Sequence, residues 1–220
     1  ALERDLCVDL QSKALAKPPC DPIKSPPVRS ILDSNDEFGF ENFQHLIDAL
    51  STRYYRLRSV SGRDQFFSTF QRFFQALDGS RGDMLAEVVS RASTQKILYL
   101  ELMQSLGMFE VAQKAQSHGD LDAPFGSRVD HSMIEAEVAK VVKRLDQIEA
   151  RRDALLGCGS NSAQQSEGCS VEVRYLAQVI RELSPIEVYA QALLAFKLIE
   201  SDVRVVGLNF VAPEDSRVAL

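Results

Sequence analysis

The segment Ser184-Pro185-Ile186-Glu187, followed by Val203-Arg204-Val205-Val206-Gly207-Leu208-Asn209-Phe210, decides the fold class. Ser184 offers a cap for a helix N-terminus, and Pro185 suits the first helical position because its missing N–H has no helical partner to lose. Glu187, three residues after the serine, completes a capping box. Ile186, Tyr189, Leu193 and Phe196 then recur at helical spacing and give one apolar stripe. The run 203–210 has no such period and reads as a buried strand, as does 173–180 upstream. A strand, a helix and a strand joined by short connections require parallel strands and a right-handed crossover.

Working back from there, Ile134, Val138, Val141, Leu145, Ile148 and Leu155 follow a seven-residue pattern interrupted at Arg152, on a long helix that begins near Ser132. The pattern suits a helix lying on a sheet or a dimerising coiled coil. Ile97-Leu98-Tyr99-Leu100-Glu101-Leu102-Met103 is a nearly continuous apolar run, expected to be a strand covered on both faces, and a short helix is expected after Gly107. Residues 41–95 carry three helical patterns, the second opening after Ser61-Gly62 with Asp64 as its cap and the third with Asp83. Residues 17–35 hold five of the eight prolines, which forbids a continuous helix or central strand and leaves a surface connection.

The 220 residues are 45% hydrophobic and carry a net charge of -6 without a basic stripe, so no field draws them to nucleic acid or to an anionic membrane. No apolar run approaches the length of a membrane span. A neutral or small-molecule ligand, if any, is the expectation. The phosphate-loop, dinucleotide and nucleophile-elbow glycine patterns are all missing. The four cysteines form two close pairs in loop-like surroundings, Cys7 with Cys20 and Cys158 with Cys169, neither with metal-site spacing. Two disulfides would imply an oxidising compartment, periplasmic or secreted; the alternative is four reduced thiols, in a chain that could then be cytoplasmic.

The order of these elements, ending in Val206-Gly207-Leu208-Asn209-Phe210-Val211-Ala212-Pro213-Glu214-Asp215, resembles the adenosine deaminase family. Tyr99-Leu100-Glu101 is similar to that family's second strand, Arg181 ends the third just before the Ser184-Pro185 helix, and Phe66-Phe67-Ser68-Thr69-Phe70 is similar to the helix that lids the substrate pocket. The resemblance implies an α/β fold forming part of a (β/α)8 TIM-type barrel, about strands 2 to 4, with extra helices near the N-terminus. It treats 1–220 as one incomplete domain: a proline-rich connection over 1–40, a helical segment over 41–95 and parallel strand-helix units over 96–220.

The activity implied is hydrolytic deamination of a purine nucleoside by a zinc-activated water. The family's H-x-H pair, further histidine and aspartate have no counterparts here, since His45, His118 and His131 stand alone. The expectation is therefore a segment whose native start lies upstream, inactive by itself, with the remaining barrel half or self-association covering its open surfaces. Substrate contacts implied are Phe66, Phe67 and Phe70 as a lid, with Glu101, Arg181, Asn209, Pro213, Glu214 and Asp215 at strand ends. Pro213 stands where adenosine-cleaving members have a glycine whose N–H reaches the purine, and it has no N–H to give. The rival reading is a non-catalytic, mostly helical binding protein that dimerises through the long helix.

Overall fold

The computed structural model describes residues 6–33, 37–53, 60–77, 79–117, 124–159 and 165–217. The chain divides into two compact units, residues 1–84 and 85–220.

The first unit opens with a hairpin, β1 (Cys7–Asp9) and β2 (Ala14–Ala16), paired antiparallel. The Asp9 carboxylate accepts from the Gln11 and Ser12 backbone N–H groups at 3.0 and 2.6 Å. Those bonds, the one from Ser12 first, hold its carboxyl below the usual range. The proline-rich stretch is organised by a second aspartate, since Asp21 accepts from the N–H groups of Ile23 and Lys24 at 2.8 and 2.9 Å. Three helices follow, α1 (Val28–Asp33), α2 (Glu37–Ala49) and α3 (Gly62–Leu77), and a small core joins Val8 of β1 to Ile31 of α1 and Leu46 of α2. The cap of α3 is Ser61, whose Oγ accepts from the Asp64 N–H at 3.0 Å and donates to the Asp64 carboxylate at 2.8 Å. Helix α3 also closes the end of α2. Buried Gln65 donates to the carbonyls of Asp48 and Ser51 at 2.9 and 2.7 Å, and Arg72 donates to that of Ala49 at 2.7 Å.

The second unit holds α4 (Arg81–Thr94, its first residues in the preceding unit), β3 (Tyr99–Gln104), α5 (Met108–Ser117), α6 (His131–Leu156), β4 (Glu172–Ile180), α7 (Pro185–Ser201) and β5 (Val205–Val211). The strands form one parallel sheet in the order β3-β4-β5. Its core joins Val173, Tyr175, Ala177 and Val179 of β4 to Ala190, Leu194, Ala195 and Leu198 of α7 and to Ile134, Val138, Val141, Leu145 and Ile148 of α6. The α6 stripe from Ile134 to Ile148 is thus buried inside the chain, while Leu155 at its end stays exposed. Asp130 caps α6, accepting from the Ser132 N–H at 2.8 Å, and Gly157 ends it at φ 68°. The capping box of α7 is present, the Glu187 carboxylate accepting from the Ser184 N–H at 3.0 Å. Between β3 and α5 the chain turns at Gly107, with φ 77°, where a Cβ would come within 2.8 Å of Val141.

This architecture corrects the barrel expectation. Among the described residues there are seven α-helices and two small sheets, an antiparallel pair and a parallel triple, not a stretch of a TIM-type barrel. The physical reason lies in the first unit: a barrel alternates strand with helix, yet among the described residues α1 to α4 follow one another without a strand, and the early strands fold back as a hairpin. The expected double covering of the first parallel strand is corrected as well. Ile97 and Leu98 precede β3, Leu98 at 71% exposure, and along the strand Tyr99, Glu101 and Met103 alternate outward.

Candidate functional site

The parallel sheet has one packed face and one open face. Side chains of β4 alternate strictly, with Val173, Tyr175, Ala177 and Val179 buried toward α7 and Arg174, Leu176, Gln178 and Ile180 on the other side. The register sets Glu101 beside Arg174, Met103 beside Leu176, and Gln178 beside Asn209. The open face thus runs from charged groups at the amino ends of the strands to neutral ones at the carboxyl ends.

At the amino side the charges satisfy one another. The Tyr99 hydroxyl donates to Glu101 at 2.8 Å, a bond that pushes the phenol above its usual value, and Arg174 pairs with Glu172 at 2.5 Å. At the carboxyl side the Met103 sulfur accepts from Asn209 Nδ2 at 3.0 Å and from Gln178 Nε2 at 3.6 Å. Met103 is 53% exposed, so this group of three side chains is open to solvent. Beside it Gly207 leaves room for Leu176, whose Cδ2 would lie 3.1 Å from a Cβ there. Just past the strand ends, Arg181 accepts no new backbone direction of its own: its N–H donates to the Val211 carbonyl at 3.0 Å, continuing the β4–β5 ladder, and its guanidinium meets Glu214 at 3.2 Å.

Of the residues named from the sequence, Arg181 and Glu214 are brought into contact, and Glu101 and Asn209 share the open face at opposite ends. Arg181 pairs with Glu214 at 3.2 Å. Pro213, Glu214 and Asp215 form the turn after β5, where the Pro213 carbonyl accepts from the Ser216 N–H at 3.1 Å. Phe66, Phe67 and Phe70 belong to the first unit and pack edge to face, Phe66 with Phe67 at 5.1 Å and with Phe70 at 5.2 Å between ring centres. Phe66 and Phe70 nevertheless stay nearly half exposed. Met103 and Gln178 were missed by sequence reasoning, which read their segments as buried runs; the signal available was the i, i+2 alternation that places them on one face.

All four cysteines are oxidised, Cys7 with Cys20 and Cys158 with Cys169. The zinc that the family resemblance implies does not fit the residues present. Among the described residues no three His, Cys, Asp or Glu side chains come together. His45 lies on α2 and His131 on α6, in different units, and His118 is outside the described residues. The donors gathered at the strand ends are a thioether and two carboxamides, not the thiolate, imidazole and carboxylate groups that hold zinc. No helix among the described residues is long and apolar enough to cross a membrane. Compared with protein-family models, curated proteins and solved structures, the chain matches none.

Proposed function

We propose that this chain carries part of the substrate-facing surface of an adenosine deaminase-like hydrolase acting on a purine nucleoside. The observation that supports it is the grouping of Met103, Gln178 and Asn209 on the open face, at the carboxyl ends of three adjacent parallel strands. Ligands of open parallel sheets sit beyond the carboxyl ends of the strands, where neighbouring side chains converge from separate segments of chain. The Val206 to Asp215 segment, which ends the series of elements that resembles the family, leads out of that same edge.

The reaction proposed is hydrolytic, water adding to a ring carbon and ammonia leaving. Zinc would activate that water, but no residue described here is arranged to hold it, so no step is routed through it. These 220 residues alone are accordingly expected to bind without turning over. Two disulfides and no free thiol support an oxidising, extracytoplasmic location.

The test is ammonia release from adenosine, and from its 2′-deoxy analogue, by the protein purified from its native source, with zinc per chain measured on the same sample. Turnover with about one zinc per chain supports the reading. Purified product that holds no zinc and releases no ammonia from either nucleoside contradicts it.

A further inference from the structure

We infer that Gln178 and Asn209, which both donate to the Met103 sulfur, are the groups that read the hydrogen-bonding edge of a flat, neutral, nitrogen-containing ring. The choice of a purine as that ring rests on the function proposed above; the recognition chemistry does not.

Gln178 and Asn209 are register partners on neighbouring strands, so their side chains leave the sheet side by side, roughly 5 Å apart at the backbone. Each carboxamide carries two donors and an acceptor oxygen. Among the described residues, the side-chain hydrogen bonds these two amides make both go to the Met103 sulfur. A thioether is a weak acceptor, and exchanging it for a ring nitrogen or a carbonyl oxygen is a gain. Met103 is half exposed on an unbranched, adaptable side chain, so it can swing away and lie against the face of an incoming ring.

The surroundings select the class of ligand. Leu176 over Gly207, with Ile180 and Val211, makes an apolar floor beside the amides on which a ring can lie flat. The charged groups on the same face are engaged locally, Glu101 accepting from the Tyr99 hydroxyl and Arg174 pairing with Glu172. Neutral donors and acceptors are therefore what the site offers. A carboxamide matches the adjacent donor and acceptor of an adenine edge bidentately, and two of them side by side can also engage the carbonyl and ring nitrogen of a lactam.

The experiment is calorimetric titration of the 220-residue chain with adenosine, inosine and nicotinamide. It is repeated on Gln178→Glu, Asn209→Asp and Met103→Leu, with circular dichroism to show that each variant is folded. The first two substitutions keep the shape and remove the donors; the third keeps the volume and removes the sulfur. The expected result is binding of adenosine or inosine that falls about tenfold in each of the two amide variants and less than about threefold in Met103→Leu. If purines bind and the amide variants bind them unchanged, the inference is overturned while the purine reading stands. If only nicotinamide binds, and loses about tenfold in the amide variants, the amide pair is upheld and the purine reading falls. If the folded wild-type chain binds none of the three, the inference is overturned.

Discussion

The two ends of the parallel sheet are built from the same strands and treat their polar groups in opposite ways. At the amino end Arg204, just before β5, donates to Asp202 at 2.6 Å, to Asp146 at 2.8 Å and to Glu149 at 3.0 Å, while the buried Tyr175 hydroxyl donates to Glu149 at 3.0 Å. The Arg204 guanidinium and the Tyr175 hydroxyl thus meet carboxylate oxygens, and the Cys158–Cys169 bridge ties the end of α6 to the entry of β4. At the carboxyl end two carboxamides share one sulfur. The amino end joins its strong donors to carboxylates, whereas at the carboxyl end, beside the Arg181–Glu214 pair, two carboxamides meet only a weakly accepting thioether. Natural folds leave polar groups weakly satisfied mainly where function uses them.

The largest effect is expected from Arg204→Met. Removing the cation leaves Asp202, Glu149 and Asp146 facing one another, and urea unfolding should show a loss of about 3 to 4 kcal/mol. Replacing both Cys158 and Cys169 by serine frees a short loop in the unfolded chain and should lower stability by about 2.5 kcal/mol in the same assay.

The amino end should contribute to the pH dependence of stability on both limbs. The Arg204 guanidinium hydrogen-bonded to Asp202 holds that carboxyl below its usual range. Its stabilisation is present above the unfolded-state pKa near about 4 and is lost as pH falls below it. Burial first, and Glu149 second, push the Tyr175 phenol above its ordinary value. Its contribution is complete below about pH 10 and is lost as pH rises further, because the unfolded chain ionises first. Stability measured against pH should therefore fall at both extremes, and Tyr175→Phe should flatten the alkaline limb alone. The smallest effect on stability is expected at the other end: Gln178→Ala and Asn209→Ala should each change it by less than about 0.5 kcal/mol. A loss of several kcal/mol from either amide would erase the contrast between the two ends.

Much of the second unit was legible in the sequence, because its signals are local. The Ser184-Pro185-Ile186-Glu187 box starts α7, the Ile134 to Ile148 stripe marks the buried face of α6, and the β-branched runs give β4 and β5 in parallel. The barrel was not there to be read. Three parallel strands with helices between them carry the same local pattern whether or not a cylinder closes, so strand count and pairing are settled by distant contacts. The hairpin β1–β2 escaped notice because three-residue strands joined through Lys13 at φ 57° carry no periodic signal. At the site, Asn209 was visible as a polar residue inside an apolar strand. Gln178 and Met103 acquire meaning only from the register that sets them beside it.

The most direct test of an open, ligand-reading carboxyl end is a nuclear magnetic resonance titration that follows the side-chain amide signals of Gln178 and Asn209 and the methyl signal of Met103 as adenosine is added. The account predicts that these three groups shift together and saturably while the signals of Tyr175 and Arg204 stay in place. Saturable shifts centred on Arg204 and Tyr175, or a titration in which the two carboxamides do not move, would contradict it.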